Sequence, residues 1–257
     1  MPSSFSITDT GRKRKMNQDY VFTSDIPVGS LSSLYIVADG MGGHNAGDYA
    51  SRFTVDYVSS KAGHAADGDP ARILKEAIQE ANRELRGIAA KNPAMYGMGT
   101  TFVAAVVKDN RLLAANVGDS RLYILHEPAG IRQVTVDHSL VEEMVRAGKL
   151  DRKEARLVPD RNIITRAVGA EDDLEVDLFR EELSAGDLLL LCSDGLTTML
   201  EDDQIARIVF SFRSLEKAAD RLVYAANMAG GKDNISAILV NPFDTGSCSG
   251  IPDSGLL

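Results

Sequence analysis

Apolar positions fall in two rhythms along this chain. Residues 5–8, 19–23 and 34–38 are short apolar or β-branched runs that predict strands. The third, Leu-Tyr-Ile-Val-Ala, is apolar throughout, as a buried strand would be. From residue 45 to about 60 the period lengthens, and Ala46, Tyr49, Ala50, Phe53 and Tyr57 recur at helical spacing on what should be the inward side. A second helix is predicted over 69–90, opened by Asp69 as N-cap and Pro70 at the first helical position. The short period then returns. Residues 100–107, 112–117, 121–125 and 131–134 read as successive antiparallel strands, with a turn at Asp109-Asn110. Beyond them lie a charged helix over 139–156, a polar stretch at 159–163 and strands at 174–179 and 188–192. Helices over 201–210 and 214–228 and a strand at 235–240 follow. Residues 243–257, rich in Gly, Ser, Asp and Pro, read as a flexible tail behind one domain spanning 1–242.

Strands in groups, helix pairs between the groups and no regular β-α-β alternation predict an α+β fold. Two stacked sheets covered by helices would bury this many apolar strands on both faces. An apolar content of 44% supports a sizeable core. The longest apolar runs, 102–107 and 188–192, are far short of the roughly 20 residues of a membrane span. The polar first ten residues lack an apolar signal core. Cys192 and Cys248 are too few for a disulfide framework, and a reducing, cytoplasmic setting is expected. With 37 acidic against 28 basic residues, net −9, the chain reads as neither a nucleic-acid nor a membrane-surface binder.

The acidic residues carry the chemical signal. Asp39 closes the run at 34–38 and precedes Gly40; Asp119 follows Leu-Leu-Ala-Ala-Asn-Val-Gly. Asp194 follows Leu-Leu-Leu-Leu-Cys-Ser and precedes Gly195, and Asp233 lies just before the last strand. One Asp-Gly after a strand is usually a turn. If the four meet at one sheet edge, their repulsion calls for divalent cations, and an all-oxygen set favours Mg2+ or Mn2+ over zinc. Spacing alone leaves their convergence open. The glycines would let the backbone turn tightly beside such ions. The run Arg12-Lys13-Arg14-Lys15 reads either as a solvated loop or as a source of forked donors for phosphate oxygens.

Read in order, six segments form one signature. They are Arg14-Lys15-Met16-Asn17-Gln18-Asp19, Ala38-Asp39-Gly40-Met41-Gly42-Gly43-His44, Gly99-Thr100-Thr101, Gly118-Asp119-Ser120-Arg121, Cys192-Ser193-Asp194-Gly195-Leu196 and Lys232-Asp233-Asn234. This set resembles the PP2C (PPM) family of metal-dependent protein serine/threonine phosphatases in its compact bacterial form, over about residues 4–240. The resemblance implies a four-layer α-β-β-α architecture, a central antiparallel β-sandwich flanked by helix pairs. It implies two Mn2+ or Mg2+ ions, with Asp39 bridging them, the Gly40 carbonyl on one, and Asp194 and Asp233 completing the other. Asp119, with Asp194, would hold a weaker third ion. Asp19 would accept hydrogen bonds from water on the metals, with Gln18 beside it in place of a common glutamate. Arg14 would bind phosphate. Ser193, Gly195 and Asn234 would shape their turns.

Met41 stands where animal members carry a histidine, which leaves the general acid open; His44, usual in bacterial members, is the candidate for a catalytic or supporting part. Residues 157–169 match the family's flap, where Arg166 has an anchoring role or pairs with a surface acid. His64, His126 and His138 read as surface or loop residues, and Thr100 and Thr101 as strand packing. The implied reaction is hydrolysis of phosphoserine and phosphothreonine by direct attack of an activated water. Implied partners are phosphoproteins and a cognate Hanks-type kinase, for a monomeric enzyme. Two rivals remain: a nucleotide-binding enzyme using Asp-Gly-Met-Gly-Gly-His as a phosphate loop, and a non-catalytic relative. The first lacks the Gly-x-Gly-x-x-Gly spacing, and the second would be expected to have lost the carboxylates.

Overall fold

The short-period runs pair into two antiparallel sheets, and the chain crosses between them repeatedly. The computed structural model describes residues 1–43, 46–151, 154, 158 and 162–244. One sheet holds β1 (Ser3–Asp9), β11 (Ile235–Asn241), β10 (Leu188–Cys192), β7 (Arg121–His126) and β8 (Gly130–Gln133), in that spatial order. The other holds β2 (Asp19–Ser24), β3 (Leu34–Met41), β5 (Phe102–Lys108), β6 (Arg111–Val117) and β9 (Asp177–Glu182), with the short β4 (Gly99–Thr100) on the end of β3. Helices α1 (Ala46–His64) and α2 (Pro70–Lys91) cover the second sheet. Short helices α3 (Leu140–Arg146) and α4 (Asp194–Thr197) lie in connections, and α5 (Asp202–Phe210) and α6 (Leu215–Met228) cover the first sheet.

The four layers explain why the strands read as unbroken apolar runs. In β3, Tyr35 and Val37 face the other sheet, while Leu34, Ile36 and Ala38 pack beneath α1 and α2. In β10, Leu189 and Leu191 face the sandwich interior, while Leu190 and Cys192 pack beneath α5 and α6. A strand buried on both faces needs no polar alternation. Each fully buried leucine contributes roughly 2 kcal/mol, so the sandwich is a rigid platform for the residues at its rim. Among the described residues no helix is long and apolar enough to cross a membrane.

Several expected elements move. β3 continues to Met41, so Asp39 and Gly40 are ladder residues and not a turn after the strand. The runs at 112–117 and 121–125 are not neighbours: β6 and β7 belong to different sheets. Apolar periodicity says that both faces are buried; it does not encode the partner. The strand expected at 174–179 is β9, three residues later. Leu174 and Val176 are buried in the core under α2, and the Leu174 carbonyl accepts from Gln79 Nε2 at 2.9 Å. That apolar pair therefore serves a helix, while 177–182 joins the ladder.

The helix expected over 139–156 ends at Arg146. Lys149 N–H donates to Met144 O at 2.9 Å and Gly148 N–H to Val145 O at 3.0 Å, the paired bonds of a Schellman stop. Residues 152, 153 and 155–157 lie outside the described residues, as do 159–161 of the polar stretch. The inward stripe of α1 consists of small residues, including Ala46, Ala50, Thr54 and Ala62, which let the helix lie close on β3. Tyr49, Phe53 and Tyr57 stack along its flank, with ring centroids 5.9 and 5.7 Å apart. The Asp69 cap is as expected, accepting from Ala71 N–H. Phe243 packs against the sandwich core, while 245–257 lie outside the described residues.

Candidate metal centre

Two adjacent strands deliver the first two carboxylates. Asp19 begins β2 directly opposite Asp39 on β3. The Asp39 peptide is held on both sides: its N–H donates to Thr101 Oγ1, and its carbonyl accepts from Thr101 N–H and Thr100 Oγ1, each at 2.9 Å. Thr101 Oγ1 is in turn 2.7 Å from Ser120 Oγ. Asp19 is 5% exposed, and its Oδ2 accepts from Ser193 Oγ and Ser236 Oγ, both at 2.7 Å. Its Oδ1 is buried without a hydrogen-bond partner.

The remaining acids come from loops and a helix start. Asp119 follows the exit of β6, and Asp194 is the first residue of α4, with Ser193 as its N-cap. Asp233 precedes β11; its Oδ1 accepts from Asn234 N–H and its Oδ2 from Arg14 at 2.7 Å. The basic loop is not simply solvated. Asn234 Nδ2 donates to Thr10 O and Met16 O at 2.9 Å each, and Gly231 O accepts from Arg12 and Lys13 N–H. Arg14 and Asp233 are thus carried on two loops fastened to each other.

Close backbone approach, not turning, explains the two glycines. A Cβ on Gly40 would overlap the Gly47 carbonyl of α1, and one on Gly195 would overlap the Asn234 carbonyl. Gln18 completes this packing: its carbonyl accepts from Gly40 N–H and Ser51 Oγ, and its N–H donates to Asn234 Oδ1.

Arg14, Gln18, Asp39, Gly40, Met41, Asp119, Asp194 and Asp233 line one cleft of about 250 Å3, together with Asn162 and Ile164. A larger groove of about 710 Å3 runs along α1 between Tyr49 and His64, but it gathers no comparable set of acids. Burial pushes the Asp19 carboxyl up to about 7, opposed by the two serines and reinforced by Asp194 and Asp233. Asp194 is pushed up to about 6 by burial and by Asp233, with a hydrogen bond to Asp39 acting the other way. Asp39 is held well above the carboxylate range by burial and then by Asp19, Asp194 and Asp119. Asp119 is raised by burial and then by Asp194 and Asp137, with Arg121 opposing. Asp39, Asp119 and Asp194 keep some solvent contact, so narrow walls rather than full enclosure desolvate them.

This donor set fits hard divalent cations. It consists of oxygen donors only, it is crowded with like charge, and it includes a buried carboxylate oxygen lacking a partner. Among the described residues no three Asp, Glu, His or Cys side chains close into a cage around one point.

Comparisons with known proteins show the family. The family model described as "Protein phosphatase 2C" matches residues 10–229. The chain belongs to the protein phosphatase 2C family. Among curated members it is 41% identical over 239 residues to the serine/threonine phosphatase stp of Listeria monocytogenes, covering 91% of this chain and 93% of that protein. It is 38% identical to the protein phosphatase PhpP of Streptococcus pneumoniae, covering 91% and 95%. Among solved structures, the S. agalactiae serine/threonine phosphatase superposes with a TM-score of 0.87 at 35% identity, covering 93% and 99%. The catalytic domain of the phosphatase PstP, in complex with two manganese ions, gives 0.81 at 31% identity, covering 93% and 97%.

In this PP2C chain the fold brings Arg14, Gln18, Asp39, Gly40, Asp119, Asp194 and Asp233 to one cleft and buries Asp19 behind it. His44 lies outside the described residues. Sequence reasoning undervalued the polar frame. Thr100 and Thr101 hold the Asp39 peptide, and Ser193 and Ser236 hold the Asp19 carboxylate. Ser236 and Ser120 carried no signal, since single serines at strand ends are commonplace. His138, expected at the surface or in a loop, lies in the loop before α3 but is buried, 7% exposed, and hydrogen-bonded through both ring nitrogens. His64 is exposed, and His126 pairs with Asp187 at 2.6 Å. Arg166 pairs with Asp177 at 2.8 Å and Glu175 at 3.3 Å.

Proposed function

We propose that this chain hydrolyses phosphoserine and phosphothreonine in proteins by direct attack of a water molecule, without a covalent phosphoenzyme. Family membership makes it a metal-dependent protein phosphatase. The carrying observation is the crowding of Asp39, Asp119, Asp194 and Asp233 on one cleft, with Asp19 buried behind it. In this reading Asp39, the Gly40 carbonyl, Asp194 and Asp233 hold a pair of Mn2+ or Mg2+ ions, and Asp119 with Asp194 holds a weaker third. When bound, such ions lower the pKa of a water and offset phosphoryl charge.

The chain's own groups do the rest. Asp19, fixed by Ser193 and Ser236, keeps a second oxygen that is buried without a hydrogen-bond partner and would accept from water on the metals. Gln18 fixes the approach of Gly40 to α1. Arg14, 48% exposed and paired with Asp233, turns its remaining guanidinium donors to a phosphoryl group entering from solvent. His44 is the candidate proton donor to the leaving group, since Met41 in the cleft has none to give. Phosphoproteins are the substrates, the product of an opposing serine/threonine kinase, and a monomeric enzyme working in the cytoplasm fits the reading. A non-catalytic role has no observation in its favour.

Hydrolysis of p-nitrophenyl phosphate and of a phosphothreonine peptide tests this. Activity should require Mn2+ or Mg2+, vanish with chelator and fall roughly 100-fold or more in Asp39→Ala and Asp194→Ala, with circular dichroism unchanged. Chelator-resistant turnover, or a trapped phosphoenzyme, would sink it.

A further inference from the structure

One residue outside the cleft holds several of its parts together. The His138 main-chain N–H donates to Gly118 O at 3.0 Å, and its ring Nδ1 accepts from Gly118 N–H at 3.0 Å. Both peptide groups of Gly118 are therefore occupied by His138, and the next residue is Asp119. The His138 carbonyl accepts from Thr165 N–H at 2.8 Å. Its ring Nε2 lies 3.1 Å from Asp177 Oδ2 and 3.1 Å from Arg166 Nη1, and that Arg166 nitrogen donates to Asp177 Oδ1 at 2.8 Å. Thr165 and Arg166 continue from Asn162 and Ile164, which line the cleft.

The ring's tautomer follows from these partners. A backbone amide can only donate, so Nδ1 is the lone-pair nitrogen and Nε2 carries the proton, given to Asp177. A charged ring would set an N–H against the Gly118 N–H. Burial, helped by Arg166, holds the imidazole below its ordinary range against the pull of Asp177, which keeps it neutral.

We propose that His138 is a positioning residue: a neutral clamp on the Gly118 peptide that fixes where Asp119 stands in the cleft and ties it to the 162–168 wall. Its consequence for catalysis rests on the reading of Asp119 as a cation ligand. Second neighbours of this kind commonly change metal affinity or activity about 10–100-fold when lost.

Two substitutions separate the two ring nitrogens. His138→Asn keeps an acceptor near the Nδ1 position, whereas His138→Gln places its polar end near Nε2 and leaves the Gly118 N–H unpaired. Asp177→Ala, at a side chain 39% exposed, removes the outer link without opening the core. Hydrogen exchange at the Gly118 amide is measured on metal-free protein, Mn2+ binding by calorimetry, and turnover on p-nitrophenyl phosphate.

The clamp predicts near wild-type Gly118 exchange in His138→Asn and at least about tenfold faster exchange in His138→Gln. In His138→Gln the weakest Mn2+ binding should fall roughly tenfold with the tighter binding unmoved, and the loss should be in kcat more than KM. Asp177→Ala should shift Gly118 exchange and weak Mn2+ binding in the same direction, less strongly. Equal behaviour of the Asn and Gln variants, or a uniform loss of all Mn2+ binding, would reduce His138 to packing and overturn the proposal. Should His138→Gln fail to fold, Asp177→Ala decides: unchanged Gly118 exchange and Mn2+ binding there overturn it. A wild type that binds no Mn2+ would end the cation reading instead, while Gly118 exchange still judges the clamp.

Discussion

Asp19 and Asp39 face each other directly across the β2–β3 ladder, so two carboxylates occupy one cross-strand pair. Like charges placed so oppose pairing, and Asp194 and Asp233 add to the repulsion on both. The site is assembled against its own electrostatics by the packing beneath it.

That strain should appear as a pH dependence of the metal-free protein. Asp19 is raised to about 7 and Asp194 to about 6 in the fold, above their unfolded values. A carboxyl raised in this way holds its proton in the folded state. Its stability is fully present below the unfolded pKa near 4 and is lost as pH rises through the folded value. In chelator, Asp19→Asn should therefore melt higher than wild type at pH 8, by up to a few kcal/mol at roughly 1.4 kcal/mol per pKa unit. The gap should close towards pH 5. Thermal scans check this; a gap that is flat or widens on acidification would refute the assignment.

Arg14 is shared between Asp233 and the open cleft mouth. Arg14→Ala should raise KM for p-nitrophenyl phosphate about tenfold and leave the melting temperature within a degree or two, because half-exposed ion pairs contribute little to stability. Arg14→Lys should recover only part of the loss, lacking the forked donor geometry. Steady-state kinetics on the three proteins decide it, and full rescue by lysine would argue against direct phosphate contact.

Thr101 is expected to matter through its hydroxyl. Thr101→Val keeps the β-branched shape but leaves the Asp39 N–H and Ser120 Oγ without this partner. A loss of about 1–3 kcal/mol is expected in urea unfolding, together with a drop in turnover of roughly tenfold or more as Asp39 loosens. Unchanged kinetics would show that the Asp39 backbone needs no such brace.

Gly195 has no room for a side chain. In Gly195→Ala the new methyl meets the Asn234 carbonyl, which is backbone and cannot swing aside. Destabilisation of about 3 kcal/mol or more is expected, with Asp194 and Asp233 pushed apart and Mn2+ binding lost. Calorimetric melting and a Mn2+ titration test both parts, and a normally folded, Mn2+-binding variant would refute the contact.

How much was legible in the sequence depended on whether the signal was local. Asp69-Pro70 at the start of α2, and the apolar strands at 34–38 and 188–192, were readable because capping and two-sided burial leave their mark on adjacent residues. The Ala147-Gly148-Lys149 stop of α3 was equally local but was overrun by the charged residues after it. Strand partnership was not readable, since an all-apolar run such as 112–117 suits either sheet. His138 in Asp-His-Ser carries no hint of burial, because its neighbours are polar and its cover comes from Gly118 and Asp177, 20 and 39 residues away.

By itself, the sequence determined the chemistry on offer: aspartates after apolar strands, a basic loop carrying Arg14 and the ordered motifs of a known family. Only the tertiary structure decided that β2, β3, α4 and the loops before β7 and β11 end at one place, because side-chain spacing records distance along the chain and not across it. It also decided which neutral groups hold those acids in place. Thr101, Ser193, Ser236 and His138 act through partners brought near only when the two sheets close on each other.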